Sequence, residues 1–181
     1  MQNKSLTYLW VICGIALFVI VAVVTCIVIY RHMDRKYQEA MDPIRMKHAE
    51  QITNIVLEYA VKTDSLPFES ESIERPFMVL IGHSPEMENV FANDKVLARN
   101  AKFANSHVLE KELSRVLGRE IKLPRDPQKV PTYAPNVYVY YIAEGQLTVA
   151  VHLYAPSDHS FEYNWRGGTF YRHTLTYGRS D

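Results

Sequence analysis

The sequence predicts an α+β protein: an N-terminal transmembrane helix extending into an amphipathic helix, then a C-terminal antiparallel sheet of about four strands. Three observations predict it. No charged residue occurs between Lys4 and Arg31. From Ile44 to Tyr59, apolar side chains recur at intervals of three and four. From Asn136 to Tyr177, apolar and polar residues alternate in runs separated by glycine-bearing turns.

The first element is the uncharged stretch Ser5 to Tyr30. As a helix it measures ~39 Å, enough to cross a hydrocarbon core of ~30 Å. Tyr8 and Trp10 sit near one end and Tyr30 at the other, where aromatic rings settle at headgroup depth. The stretch exceeds the apolar region of a secretory signal, about 7–15 residues, and has no A-x-A site after it. Thr25 precedes Cys26, where a lipoprotein signal needs a small residue. The stretch is therefore expected to stay as a single-pass anchor. Ala22 and Cys26 form a small-xxx-small pair suited to seating a partner helix, and Trp10 is a further packing position. Arg31, Arg35 and Lys36 outnumber Lys4 across the span, which by the positive-inside rule favours a cytoplasmic C-terminal domain. The very short N-terminal flank suits the opposite insertion, and the expected location is periplasmic or extracytoplasmic.

Residues 31–63 are expected to continue as helix and residues 64–181 to form the soluble α+β domain. Asp42-Pro43 reads as an N-cap with proline at the first helical position, or as a kink. Ile44, His48, Ile52, Ile55, Val56 and Tyr59 make one apolar face running to about Val61. His48 on that face reads as a partly buried, hydrogen-bonded histidine. Phe68 to Pro76 is an acidic, turn-rich loop, Phe77 to Gly82 a short buried strand, and HSPEMENVFAND another loop. A weak helix is expected over Lys95 to Phe103. A clearer one follows, capped by Asn105 or Ser106, with Val108, Leu109, Leu113, Val116 and Leu117 on its face and Gly118 as its stop. KLPRDPQKVPTYAP is proline-rich and extended.

The sheet is expected over 136–177 as a meander. Glu144-Gly145 is a two-residue hairpin signal. After it Leu147, Val149, Val151 and Leu153 face one way, and Gln146, Thr148 and His152 the other. Phe161, Tyr163 and Trp165 alternate in the next run, and Arg166-Gly167-Gly168 turns the chain.

Twenty basic and 20 acidic side chains balance, which argues against nucleic-acid binding. Both cysteines, Cys13 and Cys26, lie in the apolar stretch, so the soluble part has neither a disulfide nor a thiol metal site. None of the seven histidines has metal-ligand spacing. His152 and His173 are placed to meet on one sheet face, and Asp158-His159-Ser160 sits in a loop. Residues adjacent in sequence seldom converge as a triad. Gly82-His83-Ser84 lacks the pattern of a nucleophile elbow, and Gly167-Gly168 has no helix after it to cradle phosphate. The expectation is a non-enzyme without cofactor or metal.

The order of short basic flank, apolar helix, amphipathic extension, loop and antiparallel sheet resembles type IV pilins and the pseudopilins of type II secretion. Lys4-Ser5-Leu6-Thr7-Tyr8-Leu9 looks like a degenerate K-G-F-T-L-I-E processing motif, with Ser5 before the cut and Leu6 after it. AEQITNIVLEYAVKTDSLP resembles the segment where the pilin helix ends, and YVYYIAEGQLTVAVHL the family's strand pair. The motif's glutamate falls on Trp10. The resemblance implies a pilin-like subunit of a secretion or pilus assembly, surrounded by lipid and packed against other membrane subunits or copies of itself. The alternatives are a bitopic inner-membrane accessory subunit whose soluble domain binds a protein partner, and a membrane-tethered enzyme or ligand-binding domain, the last if His152, His159 and His173 line one pocket.

Overall fold

The computed structural model describes residues 3–92, 101–127, 137–158, 160–165 and 168–178. The chain divides into two compact units, Met1–Ala40 and Met41–Asp181. Helix α1 runs from Asn3 to Thr63. Among the described residues it is the one helix long and apolar enough to cross a membrane. Within the first unit its apolar side chains are exposed, Trp10, Phe18 and Tyr30 among them. Two polar contacts there are local: Thr25 Oγ1 donates to Val21 O at 2.8 Å, and Arg35 pairs with Glu39.

The helix does not start again at Asp42. It passes through Pro43, whose missing N–H leaves one intrahelical bond unmade. The Asp42 side chain is not a cap, because it accepts from Arg45 and from the backbone N–H groups of Tyr154 and Ala155. The buried stripe in the second unit is Arg45, Ala49, Ile52, Val56 and Tyr59. Ile52, Val56 and Tyr59 of the expected face are buried and His48 and Ile55 half-buried; the departure is at its start, where Ile44 is exposed and Arg45 and Ala49 are buried instead. A pattern search for apolar residues selects Ile44 over its charged neighbour; burial of a paired arginine reverses the choice.

Among the described residues the sheet has six strands in the order β2-β1-β3-β4-β6-β5, mixed rather than purely antiparallel. β1 (Phe77–Ile81) pairs in parallel with β2 (Lys102–Asn105) and antiparallel with β3 (Tyr138–Ala143). β4 (Gln146–Leu153), β5 (Ser160–Trp165) and β6 (Gly168–Gly178) complete it. The expected four antiparallel strands are present, but not as a meander. β6 lies between β4 and β5, matching β4 from Gln146↔Gly178 to Leu153↔Tyr171 and β5 from Ser160↔His173 to Trp165↔Gly168. Its eleven residues are long enough to cover β4 fully, which leaves β5, with exposed Phe161, Glu162 and Asn164, as one edge of the described sheet and β2 as the other. Glu144 and Gly145 both have positive φ, 50° and 72°, the geometry of a two-residue hairpin turn, as expected. The expected turn at Arg166 and Gly167 lies outside the described residues.

Two helices differ from the sequence reading. HSPEMENVFAND is not all loop, because α2 spans Pro85–Ala92. Ser84 precedes it with Oγ accepting from Met87 N at 3.3 Å, and Pro85 occupies the first turn, a start signal readable in Ser-Pro. The helix expected over Lys95 to Phe103 falls largely on residues 93–100, outside the described set, and Lys102 and Phe103 belong to β2. Pairing with β1, from Phe77↔Lys102 to Leu80↔Asn105, is non-local and invisible to local propensity. α3 (Ser106–Leu117) occupies the expected stretch, burying Leu109, Leu113 and Leu117 while Val108 stays exposed, but its N-cap residue Asn105 makes no side-chain capping bond. It ends on Gly118 at φ 74°, whose N–H bonds Ser114 O.

The main core lies between the sheet and the helices α1 and α3, where Ile52, Val56, Leu109 and Leu113 meet Val79, Tyr140 and Val149. Each fully buried aliphatic side chain there contributes about 1.5–3 kcal/mol. Met78 and Leu80 point to the other face and pack with Met87 of α2 and Val137. Coverage on both faces explains why β1 is buried at all five positions rather than alternating.

Candidate functional site

At the C-terminal end of α1 the chain leaves the helix through Thr63, Asp64 and Ser65 and lays a loop along the sheet. Tyr140 Oη donates to Pro67 O at 2.6 Å, and Phe68 stacks on Phe77 with ring centroids 4.7 Å apart. Glu69 folds back so that its Oε2 accepts from Leu66 N at 2.7 Å, and Ser72 Oγ donates to Glu69 O at 2.8 Å. The loop is thus fixed by its own hydrogen bonds. Between it, α3 and the Glu144-Gly145 turn lies a cleft of about 840 Å³. A second cleft of about 500 Å³ shares Ser65, Leu66, Glu69 and Gly145 with it and reaches Val61 and Tyr177.

The lining is acidic and apolar together. Among the described residues, Glu69, Glu71, Glu112 and Glu144 line the larger cleft with one cation, Arg115. Arg115 is already engaged: Nη2 donates to Glu112 Oε1 at 2.7 Å and Nε to Oε2 at 2.9 Å. That arginine holds the Glu112 carboxyl below its usual range. Tyr59 Oη donates to the same carboxylate at 2.8 Å. Burial first, and the Glu112 carboxylate second, push the Tyr59 phenol up to about 12, so it remains a donor. On the rim, Ile73 is 83% exposed and Val61 88%.

A different cluster lies deep in the same unit. Arg45 is 0% exposed. Its Nη1 donates to Asp42 Oδ1 at 2.8 Å, its Nε to Asp126 Oδ2 at 2.8 Å, and its guanidinium lies 4.9 Å over the Tyr154 ring. Asp42 Oδ2 also accepts from Tyr154 N at 2.8 Å and Ala155 N at 2.9 Å, so the carboxylate fastens α1 to the end of β4. Burial pushes the Asp42 carboxyl up against these bonds. His152 is buried beside Asp126, with Nε2 3.4 Å from Oδ2. Burial drives its pKa down to about 4, against the pull of Asp126. The cluster has the geometry of an internal fastener between α1 and the end of β4.

The expected site residues do not assemble. β4 and β6 pair His152 with Arg172 and Val151 with His173, so the two histidines have opposite strand parity and do not share a sheet face. His159 lies outside the described residues. His48 is half-buried with Nδ1 3.0 Å from Tyr138 Oη. Among the described residues no three His, Cys, Asp or Glu side chains stand close enough to hold a metal ion. Trp10, Ala22 and Cys26 are exposed on α1. Ser5 and Leu6 fall within α1, and their side chains lie outside the described set. Sequence reading identified the acidic loop but neither the cleft it borders nor the Asp42–Arg45–Asp126 cluster. The one local signal of the latter is Asp42 three residues before Arg45, with Arg45 in register with Ala49 and Ile52.

Comparison with protein-family models, with curated proteins and with solved structures finds no match to this chain.

Proposed function

We propose that this chain is a non-catalytic, single-span membrane protein whose soluble α+β unit docks a protein partner, as an accessory subunit of a membrane assembly. The observation that carries the reading is the pair of joined clefts beside the end of α1, with exposed aliphatic side chains on the rim. Isolated exposed apolar residues are ordinary on a surface; grouped around a concave, pre-fixed loop they suit a partner. The uncharged helix supports the membrane anchor. The extracytoplasmic side is the proposed location of the soluble unit.

The test is isolation of the full chain in mild detergent with a photo-crosslinking residue at Ile73, and at Lys47 as a control. A partner crosslinked from Ile73 and not from Lys47, and copurifying stoichiometrically, is expected. A lone monomer across several detergents, with no crosslink from Ile73, sinks the reading.

A pilin-like or pseudopilin-like subunit is the second reading. It is favoured by the packing of Ala49, Ile52 and Val56 of α1 on a largely antiparallel sheet. The parallel β1–β2 pair and α2 stand outside that layout. Incubation with a prepilin peptidase followed by N-terminal sequencing separates the two: a new terminus at Leu6 supports the filament-type subunit, and an intact Met1 removes its processed form.

A further inference from the structure

Resting on the reading of the soluble unit as a docking domain, we propose that the joined clefts take a basic amphipathic polypeptide segment, one that presents Lys or Arg beside an aliphatic or aromatic anchor. Three observations meet at this place. The first is charge: among the described residues, five charged side chains line the larger cleft, four of them carboxylates, and the one cation among them is bound to one carboxylate through both of its oxygens. Glu71 and Glu144 are exposed and stand on separate elements, the loop after α1 and the β3–β4 turn.

The second is that these carboxylates are spread out. No three of them gather closely enough to hold a metal ion. Spaced carboxylates match spaced cations along a chain better than one point charge, and each presents oxygens that accept the fork of a guanidinium or an ammonium. The third is the apolar component. Ile73 and Val61 lie on the rim, and Leu57, Ala60 and Leu66 line the smaller cleft. An ion or a small polar metabolite has no use for that surface. A peptide side chain does, since each CH₂ it buries is worth roughly 0.8 kcal/mol. The clefts, about 840 and 500 Å³, hold several side chains rather than one.

The loop is also pre-ordered. Glu69 Oε2 accepts from Leu66 N, and Tyr140 Oη donates to Pro67 O, so the loop is held by the protein's own hydrogen bonds. A segment that binds there orders only itself, which reduces the cost of association.

The test uses the full chain in phosphatidylcholine nanodiscs, with empty nanodiscs as the blank. Three dye-labelled dodecapeptides are titrated by fluorescence anisotropy. One carries four Lys or Arg among Leu and Phe; one has Glu in place of every cation; one keeps the cations and replaces Leu and Phe by Ser and Gly. Binding of the first alone, above the blank, is expected. The double variant Glu71→Gln/Glu144→Gln is expected to weaken it about fivefold, from two exposed ion pairs, with a shallower salt dependence. Ile73→Ser is expected to weaken it without changing the salt dependence. Binding of the acidic peptide equal to the basic one overturns the charge part, and equal binding of the Ser/Gly peptide overturns the apolar part. Binding by none overturns the whole inference. In each of those cases a partner crosslinked from Ile73 leaves the docking reading standing, and a missing crosslink removes that reading too.

Discussion

Arg45→Met is the most informative single change in the fold. The arginine is fully buried with two carboxylate partners, each at 2.8 Å. Methionine replaces the aliphatic stem and removes the guanidinium. Asp42 keeps the N–H groups of Tyr154 and Ala155, whereas Asp126, with its side chain 0% exposed, loses both the Nε bond at 2.8 Å and the Nη2 bond at 3.3 Å. Breaking a buried pair by removing one partner costs about 3–5 kcal/mol, because the remaining charge keeps its desolvation cost and loses the attraction that offset it. Replacing both partners by apolar residues costs much less. Arg45→Met/Asp126→Leu is therefore expected to be more stable than Arg45→Met by about 1–3 kcal/mol. Urea unfolding of the full chain in mild detergent, followed by near-ultraviolet circular dichroism of the tyrosines, reads both differences. An Arg45→Met variant within about 0.5 kcal/mol of the parent, or a double variant as unstable as the sum of the singles, would refute the reasoning.

Three further outcomes follow from the same packing. His152 has its pKa lowered to about 4 by burial, below the ~6.5 of an unfolded histidine. A depressed folded pKa contributes stability that is present above pH ~6.5 and lost as the pH falls toward 4. Between pH 7 and 4.5 the loss is about 2 kcal/mol. His152→Leu flattens that part of the profile, whereas Asp42, with its pKa raised, acts in the opposite sense and remains in both proteins; parallel profiles would exclude His152 as the source. Glu88 is buried and accepts from Gly82 N at 2.9 Å and Ser106 N at 3.3 Å, tying α2 to β1 and α3. Glu88→Ala is expected to cost about 2–3 kcal/mol, with faster amide exchange at Gly82; unchanged exchange there would dismiss the tie. Gly118→Ala places a side chain at φ 74° and is expected to cost about 1 kcal/mol in the same urea assay, while Gly118→Asn costs less.

Much of the layout was legible locally. The apolar stretch, the helical period up to Tyr59, α3 with its glycine stop, and the β3–β4 hairpin each rest on interactions within a few residues, and composition encodes those directly. Ser84-Pro85 shows that a further local signal, the start of α2, was present in the sequence. The parallel β1–β2 pair was not legible, since its partners lie some 25 residues apart and neither run names the other. The placement of β6 between β4 and β5 was equally hidden, because alternation fixes which side chains share a face but not which strand is the neighbour.

The site divides the same way. By itself the sequence determined an uncharged helix long enough for a membrane, an α+β unit behind it, and an acidic loop from Phe68 to Pro76. Those follow from which residues are apolar and how they are spaced. Only the tertiary structure decided that the loop's carboxylates share a cleft with Glu112 and Glu144 from distant elements. It alone separated His152 from His173 by strand parity, and it alone buried Arg45 between Asp42 and Asp126. Each of these is a meeting of groups far apart in the chain, set by burial and pairing energies that no single stretch of sequence carries.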